Sequence, residues 1–256
     1  MGQVKIEVFT DGSCIDNGSK DAQAGCGLWY GQNDPRNQAI KLPPSVEQSN
    51  NSGEAVAVLV AAQTAPKNAE LHIYSDSTFV IDGLTENLKD CENQGWIGRS
   101  NKEILKATAA HLRQRKGRTI FHKVKGHSGN EGNDGADALA GVGAQKEEPD
   151  NIDLTIPGNL TTTGAHLASM TQSILYRGIK EKIKVPIRRD ALISLDMIRC
   201  AVKDAVGTSP TDERIWKSFR HTDVSKSISA FMWKTAQNAY KIGDYWMNIP
   251  TMEIRA

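Results

Sequence analysis

The sequence predicts an α/β fold followed by an all-helical region, and three observations carry that reading. Three short strand patterns with short links open the chain, which gives an antiparallel meander. Strand and helix patterns then alternate, which packs helices against a mixed sheet. Beyond a charged, proline-marked stretch at residues 145–157 (QKEEPDNIDLTIP) the pattern is helical only.

Val4, Ile6 and Val8 alternate with polar residues, and Phe9 and Thr10 lead to Asp11: a half-buried strand with an acid at its end. Residues 12–24 are rich in turn formers, among them Asn17 and Gly18. Residues 25–31 (GCGLWYG) read as the second strand and 39–42 as the third, with Pro43 and Pro44 breaking the sheet pattern. Residues 54–65 are almost wholly apolar and read as a buried helix ended by Pro66. Residues 71–74 give a strand; residues 77–84 give a helix capped by Ser77, with Phe79, Val80 and Ile81 inward. Residues 102–116 are amphipathic, 119–124 form the last strand, and 134–142 an alanine-rich final helix. In such sheets ligands gather beyond the carboxyl ends of the strands, where Asp11 and Asp76 are expected.

The expected division is a first domain at 1–145, a linker at 146–160 and a helical domain at 161–256. In the last, 164–184 and 190–206 have helical spacing with Pro186 between them. Ser209-Pro210-Thr211-Asp212 reads as a helix start with a cap and a proline at the first position. Residues 224–240 form a further helix, and Trp216, Phe219, Phe231 and Trp233 are the expected core of a small bundle.

Net charge is +1, but residues 1–150 hold 16 Lys and Arg against 20 Asp and Glu, and residues 151–256 hold 15 against 10. Residues 99–125 reverse the local sign: Arg99, Lys102, Lys106, Arg113, Arg115, Lys116, Arg118, Lys123 and Lys125 face only Glu103. This is either a solvated helix face with a basic turn or a zone that holds a phosphate backbone. No run approaches the roughly 18–20 apolar residues of a membrane span. No signal-peptide pattern opens the chain, so an intracellular location, nuclear or cytoplasmic, is expected. Cys14, Cys26, Cys91 and Cys200 are scattered, with no CxxC pair, which argues against a disulfide framework or a zinc site.

Four acids in distinct settings carry the chemistry: Asp11 in TDGS, Glu54 at the start of an apolar run, Asp76 in YSDS and Asp137 in GNDGADALA. Each has a bland reading, as a turn residue, a first-turn glutamate or a helix cap. Glu54 is the odd one, because the apolar run buries it and a buried carboxylate needs a partner. Carboxylates that converge repel one another unless a cation sits between them, and magnesium suits few carboxylates plus substrate phosphates. His127, flanked by glycine, is a candidate proton shuttle. Asp134 and Asp137 share a helix face, and spacing alone does not choose between them.

TDGSC, the asparagine-rich SNNSGE, YSDS and KGHSGNEGNDGADALA, in that order, resemble the four signatures of type 1 ribonuclease H over residues 3–143. The resemblance implies a ribonuclease H-like mixed five-stranded sheet flanked by helices, and hydrolysis of the RNA strand of RNA/DNA hybrids with two Mg2+ ions, for which Mn2+ can substitute. It implies Asp11, Glu54, Asp76 and Asp137 as metal ligands, the last because the ligand falls in the Ala-Asp-x-Leu-Ala portion of the signature. It gives His127 a role in product release. It places Asn17, Asn50 and Asn51 against the hybrid near the minor groove, Ser49 near a DNA-strand phosphate, and Asn133 beside the last ligand. The basic, tryptophan-rich protrusion of some members is here a short region with Gly95 and Trp96. The N-terminal hybrid-binding module of many eukaryotic members has no counterpart.

Outside that stretch, RIWKSFRH and SAFMWKTAQNAYKIGDYWMNIP resemble the segment before a zinc-binding module in some retroelement reverse transcriptases. The sequence therefore reads as a hybrid-specific endoribonuclease of retroelement type with an all-α C-terminal domain. That domain is either a plain bundle, a basic arm for nucleic acid, or a dock for a protein partner. A DNA-cutting nuclease or resolvase on the same fold, and a non-catalytic nucleic-acid-binding remnant, are the alternatives; the asparagines before Glu54 speak against the DNA reading.

Overall fold

The computed structural model describes residues 4–19, 21–126, 129–161, 164–183 and 186–240. It divides into two compact units, Met1–Lys182 and Ile183–Ala256. In the first, β1 (Lys5–Ile15), β2 (Gln23–Trp29) and β3 (Gln38–Lys41) form the expected meander. Helix α1 (Asn50–Thr64), strand β4 (Glu70–Ser75), helices α2 (Thr78–Leu84), α3 (Leu88–Asn93) and α4 (Lys102–Gln114), strand β5 (Thr119–Lys123) and helix α5 (Glu131–Gln145) follow. The five strands lie in the order β3-β2-β1-β4-β5, with β4 parallel to β1 and β5 parallel to β4. This is the mixed five-stranded sheet flanked by helices that the motifs implied. Helix α3 is too short to leave a periodic signal and was not expected. Among the described residues no helix is long and apolar enough to cross a membrane.

β1 is longer than its hydrophobic alternation. It pairs with β4 only from Lys5 to Phe9, then runs on against β2 as far as Ile15. Asp11 is therefore inside a strand, opposite Gly27, rather than in the turn that Asp-Gly suggests. It still lies past the end of β4, because the parallel pairing stops two residues earlier.

α1 is apolar all round because it is covered all round, with ten of its residues buried between the sheet and α4. Ser49 caps it by accepting from the Ser52 amide. At its other end the guanidinium of Arg115, itself buried, donates to the carbonyls of Ala65, Pro66 and Ala69. Arg115 thus closes the helix instead of joining a basic surface.

The contact of α1 with the sheet is backbone against backbone. A Cβ on Gly12 would stand 2.3 Å from the Glu54 nitrogen, and one on Gly53 would stand 2.5 Å from the Gly25 carbonyl oxygen. α5 reaches β2 as closely: a Cβ on Gly27 would lie 2.1 Å from the Ala136 carbonyl oxygen. Only glycine permits this spacing.

The expected linker is no tether. The Asp150 amide donates to the Lys41 carbonyl of β3 at 3.0 Å, and the Asp150 carboxylate accepts from the Lys41 amide at 2.7 Å. Ile152, Leu154 and Ile156 pack on the core, and Gln63 donates to the Asp153 carbonyl. Helix α6 (Gln172–Lys182) starts later than the spacing suggested and belongs to this unit, so the boundary falls after Lys182 and not within 146–160.

The second unit holds α7 (Arg189–Val206), α8 (Asp212–Ser218) and α9 (Lys226–Ala236). Thr211, not Ser209, caps α8, and Ser225 caps α9. Its core is Leu195, Ile215, Phe219 and Ala236, with Trp216 half-buried. Phe231 and Trp233 are 58% and 47% exposed, contrary to expectation, because Met232 and Ala236 occupy the inward face of α9.

Two outcomes follow from this packing. Ending the chain at residue 145 instead of 182 should cost about 3 kcal/mol, roughly 5–10 °C in Tm, by stripping three half-buried side chains from the core; equal melting temperatures would contradict the strap. Gly53→Ala should destabilise by about 2 kcal/mol or more. Helix propensity alone favours that change by about 1 kcal/mol, so a stabilised variant would refute the close contact.

Candidate metal centre

Three elements deliver three carboxylates to one point. Asp11 comes from β1 past the end of β4, Glu54 from the second turn of α1, and Asp76 from the link after β4. Each offers a carboxylate oxygen, and these oxygens lie within 4.8 Å of one another. The Gly12 amide donates to Asp11 Oδ1 at 2.7 Å and fixes that side chain. Asp76 is held by a tight turn in which the Ser77 amide donates to the buried Ser75 hydroxyl at 3.1 Å, and Ser77 then caps α2. Gly126 passes against it, so close that a Cβ there would meet Asp76 Oδ2 at 2.3 Å.

The electrostatics are unfavourable without a counter-charge. Like charges at this separation repel by about 3–4 kcal/mol at an effective dielectric of roughly 20. Burial, then the charge of Asp11, push the Glu54 carboxyl up to about 10. Burial chiefly raises Asp11 too, with Asp76 and Asp137 adding to it, while a hydrogen bond with Glu54 opposes the rise. Both shifts favour a neutral, protonated carboxyl at Glu54 while no cation is present. Glu54 Oε2 is buried with no hydrogen-bond partner among the described residues. An acceptor in that position, within a cluster of hard oxygen donors, suits a hard divalent cation.

Asp137 sits on α5 outside the tight trio but near enough for its charge to act on Asp11. Asp134, one turn earlier, is exposed and does not figure among the charges acting on Asp11. Asn133 precedes Asp137 by four residues on the same face; it is buried, and its Oδ1 has no partner among the described residues. Asn130 caps the helix by accepting from the Gly132 and Asn133 amides. His127 lies outside the described residues.

Asn50 and Asn51 are exposed in the first turn of α1, one turn before Glu54. Ser49 is bound to Ser52 through their hydroxyls at 2.8 Å, and Ser52 donates to Asn101 Oδ1 at 2.8 Å. Asn101 was not singled out in the sequence. It precedes an amphipathic helix, which marks a cap, but nothing in the sequence ties it to a serine 49 residues away. Asn17 is exposed in the turn beyond the end of β1, about 13 Å of strand from Asp11.

The basic stretch is not one surface. Arg113 pairs with Glu92, Lys102 with Glu181 and Lys106 with Glu103, Lys123 donates to Thr78, and Arg115 faces inward. Several of the charges that suggested a phosphate track are therefore spent within the fold.

The model of the RNase H family matches residues 3–145. Ribonuclease H1 of Rattus norvegicus is 35% identical over 153 residues, which cover 58% of this chain and 53% of the rat protein. Ribonuclease H of Ruthia magnifica subsp. Calyptogena magnifica is 33% identical over 149 residues, 56% of this chain and 97% of that protein. The solution structure of the PFV RNase H domain aligns at a TM-score of 0.43 and 23% identity, over 56% of this chain and 96% of that one. The chain spans about half the length of the mammalian relatives it matches. The match covers more than half of this chain and carries the whole carboxylate cluster, and on that ground the chain belongs to the RNase H family, type 1.

Proposed function

We propose that the first unit is a divalent-metal-dependent endoribonuclease that hydrolyses the RNA strand of RNA/DNA hybrids. The observation that carries this is the convergence of Asp11, Glu54 and Asp76 within 4.8 Å, with a buried carboxylate oxygen among them that has no partner among the described residues. Asp11, Glu54, Asp76 and Asp137 would hold two Mg2+ ions, or Mn2+ in their place. When bound, such ions supply Lewis acidity to the attacking water and to the leaving oxygen.

The protein's own groups supply the rest. Asn50 and Asn51 lie at the positive end of α1, where amide donors and acceptors can meet a 2′-hydroxyl, which is both. Ser49 would meet a phosphate of the DNA strand, Asn17 would join Asn50 and Asn51 against the hybrid near the minor groove, and Asn133 would stand beside the last ligand, Asp137. His127 would move a proton as product leaves. A side-chain nucleophile is not required. Cys26, buried nearby, is unsuited to that part because burial and the charge of Glu54 push its thiol up, far from ionisation.

Cleavage of a labelled hybrid, a DNA duplex and an RNA duplex in Mg2+ tests the proposal. The hybrid alone should be cut, in its RNA strand; cutting of the DNA duplex would favour the resolvase reading. Asp76→Asn should lower kcat by about a thousandfold or more and weaken Mg2+ binding measured by calorimetry. Retained cleavage would overturn the assignment.

The raised carboxyls also set a pH dependence. In the absence of metal Glu54 holds its proton in the folded chain between about pH 4.5 and about 10 but not in the unfolded one, so its contribution to stability falls as pH rises through that window, while the lowered His122 opposes it near its own titration. Melting in EDTA should show Tm dropping from about pH 5 to about pH 8, with Mg2+ restoring it most at the higher pH. Glu54→Gln should flatten the profile; a Tm that rises with pH in EDTA and is unchanged by that substitution would contradict the raised Glu54 carboxyl.

A further inference from the structure

The segment 93–102 is a strained connection. Gly95, Trp96, Gly98 and Asn101 all have left-handed backbones, with φ of 60°, 58°, 69° and 54°. Glycine and asparagine tolerate that conformation, but for tryptophan it is costly and persists only where the surroundings impose it. Asn101 is also an unusual start for α4: it stands at the cap position but makes no capping bond, because its Oδ1 accepts from Ser52 instead.

Trp96 is anchored in the core and Asn101 by Ser52, and further support comes from beyond the family match, which ends at residue 145. Glu181 on α6 brackets Asn101. Its Oε1 accepts from the Gly98 amide at 2.6 Å and its Oε2 pairs with Lys102 Nζ at 2.9 Å. Lys102 opens α4, where the helix dipole disfavours a cation, and the carboxylate offsets that. Arg177 covers Gly98 so closely that a Cβ there would be 2.2 Å from its Cδ, and Gly178 lies against Ile97. The His166 amide donates to the Asn93 carbonyl at 2.7 Å.

We infer that α6 is a built-in positioning element for the substrate-binding turn, with Glu181 as its positioning residue. This rests on the hydrolase reading above. Glu181 fixes Gly98 and Lys102, these fix Asn101 between them, and Asn101 holds Ser52 and through it Ser49, the cap of the turn that presents Asn50 and Asn51. Glu54 is secured independently, by the contact of Gly53 and Gly12. Loss of the clamp therefore loosens the binding turn and leaves the carboxylate cluster in place.

The test uses the full chain with a labelled RNA/DNA hybrid. Glu181→Ala should raise KM roughly three- to tenfold, the worth of about one hydrogen bond, with kcat within about twofold. The Gly98 amide should exchange faster with solvent. Glu181→Gln, which keeps the acceptor for Gly98, should recover part of the KM. Glu181→Ala combined with Asn101→Ala should raise KM by less than the product of the single effects. An unchanged KM, a fall in kcat alone, or unaltered Gly98 exchange would overturn the clamp. If the unmodified chain does not cut the hybrid, the hydrolase reading fails first, and Gly98 exchange in Glu181→Ala decides the contact by itself.

Discussion

The first turn of α1 lies on β1 and β2 with no side chain between them, and the candidate site depends on that contact. Gly12 and Gly53 remove the two Cβ atoms that would hold helix and sheet apart. Glu54 follows Gly53, and Asp11 precedes Gly12, so the same approach that joins the backbones sets the two carboxyls within hydrogen-bond reach. Asp76 enters by a different constraint: β4 is parallel to β1, so the chain leaves the sheet on the side where Asp11 stands. The geometry of the cluster is thus a property of the sheet order and of two missing methyl groups.

Such a cluster is an electrostatic burden on the fold. Two carboxyls are buried side by side, one of their oxygens has no partner among the described residues, and the backbone around them is closely packed. Sites of this kind trade stability for a prepared charge distribution. The surrounding core carries the load: α1 is buried along ten residues, and Arg115 secures its far end through three carbonyls.

Much of this was legible in the sequence, for physical reasons that differ by residue. The meander, the helix order and the sheet class followed from periodicity, and the cluster from four acids in motif settings. Asp11 reads as the end of the first strand because the hydrophobic alternation stops there, whereas β1 runs on to Ile15 against β2, where Gly12 lets a helix approach instead of bending the chain. Arg115 was counted as surface charge because sequence proximity to other cations does not report burial. Ile152, Leu154 and Ile156 alternate as a strand does, but the acids and prolines around them carry the composition of a tether. Phe231 and Trp233 were assigned to a core by size, whereas the spacing of Met232 and Ala236 defines the inward face of α9. Asn101 depends on a contact across 49 residues and left no local trace.

The strap that crosses β3 has a colloidal meaning as well as a packing one. β3 is a four-residue edge strand, and an edge offers unpaired amides and carbonyls to any other chain. Asp150 occupies both the donor and the acceptor of Lys41 on that edge. It presents a carboxylate there, so a second molecule meets no free donor or acceptor at Lys41. The stretch after the last helix of the family fold thereby closes the Lys41 position of this edge to pairing with another chain.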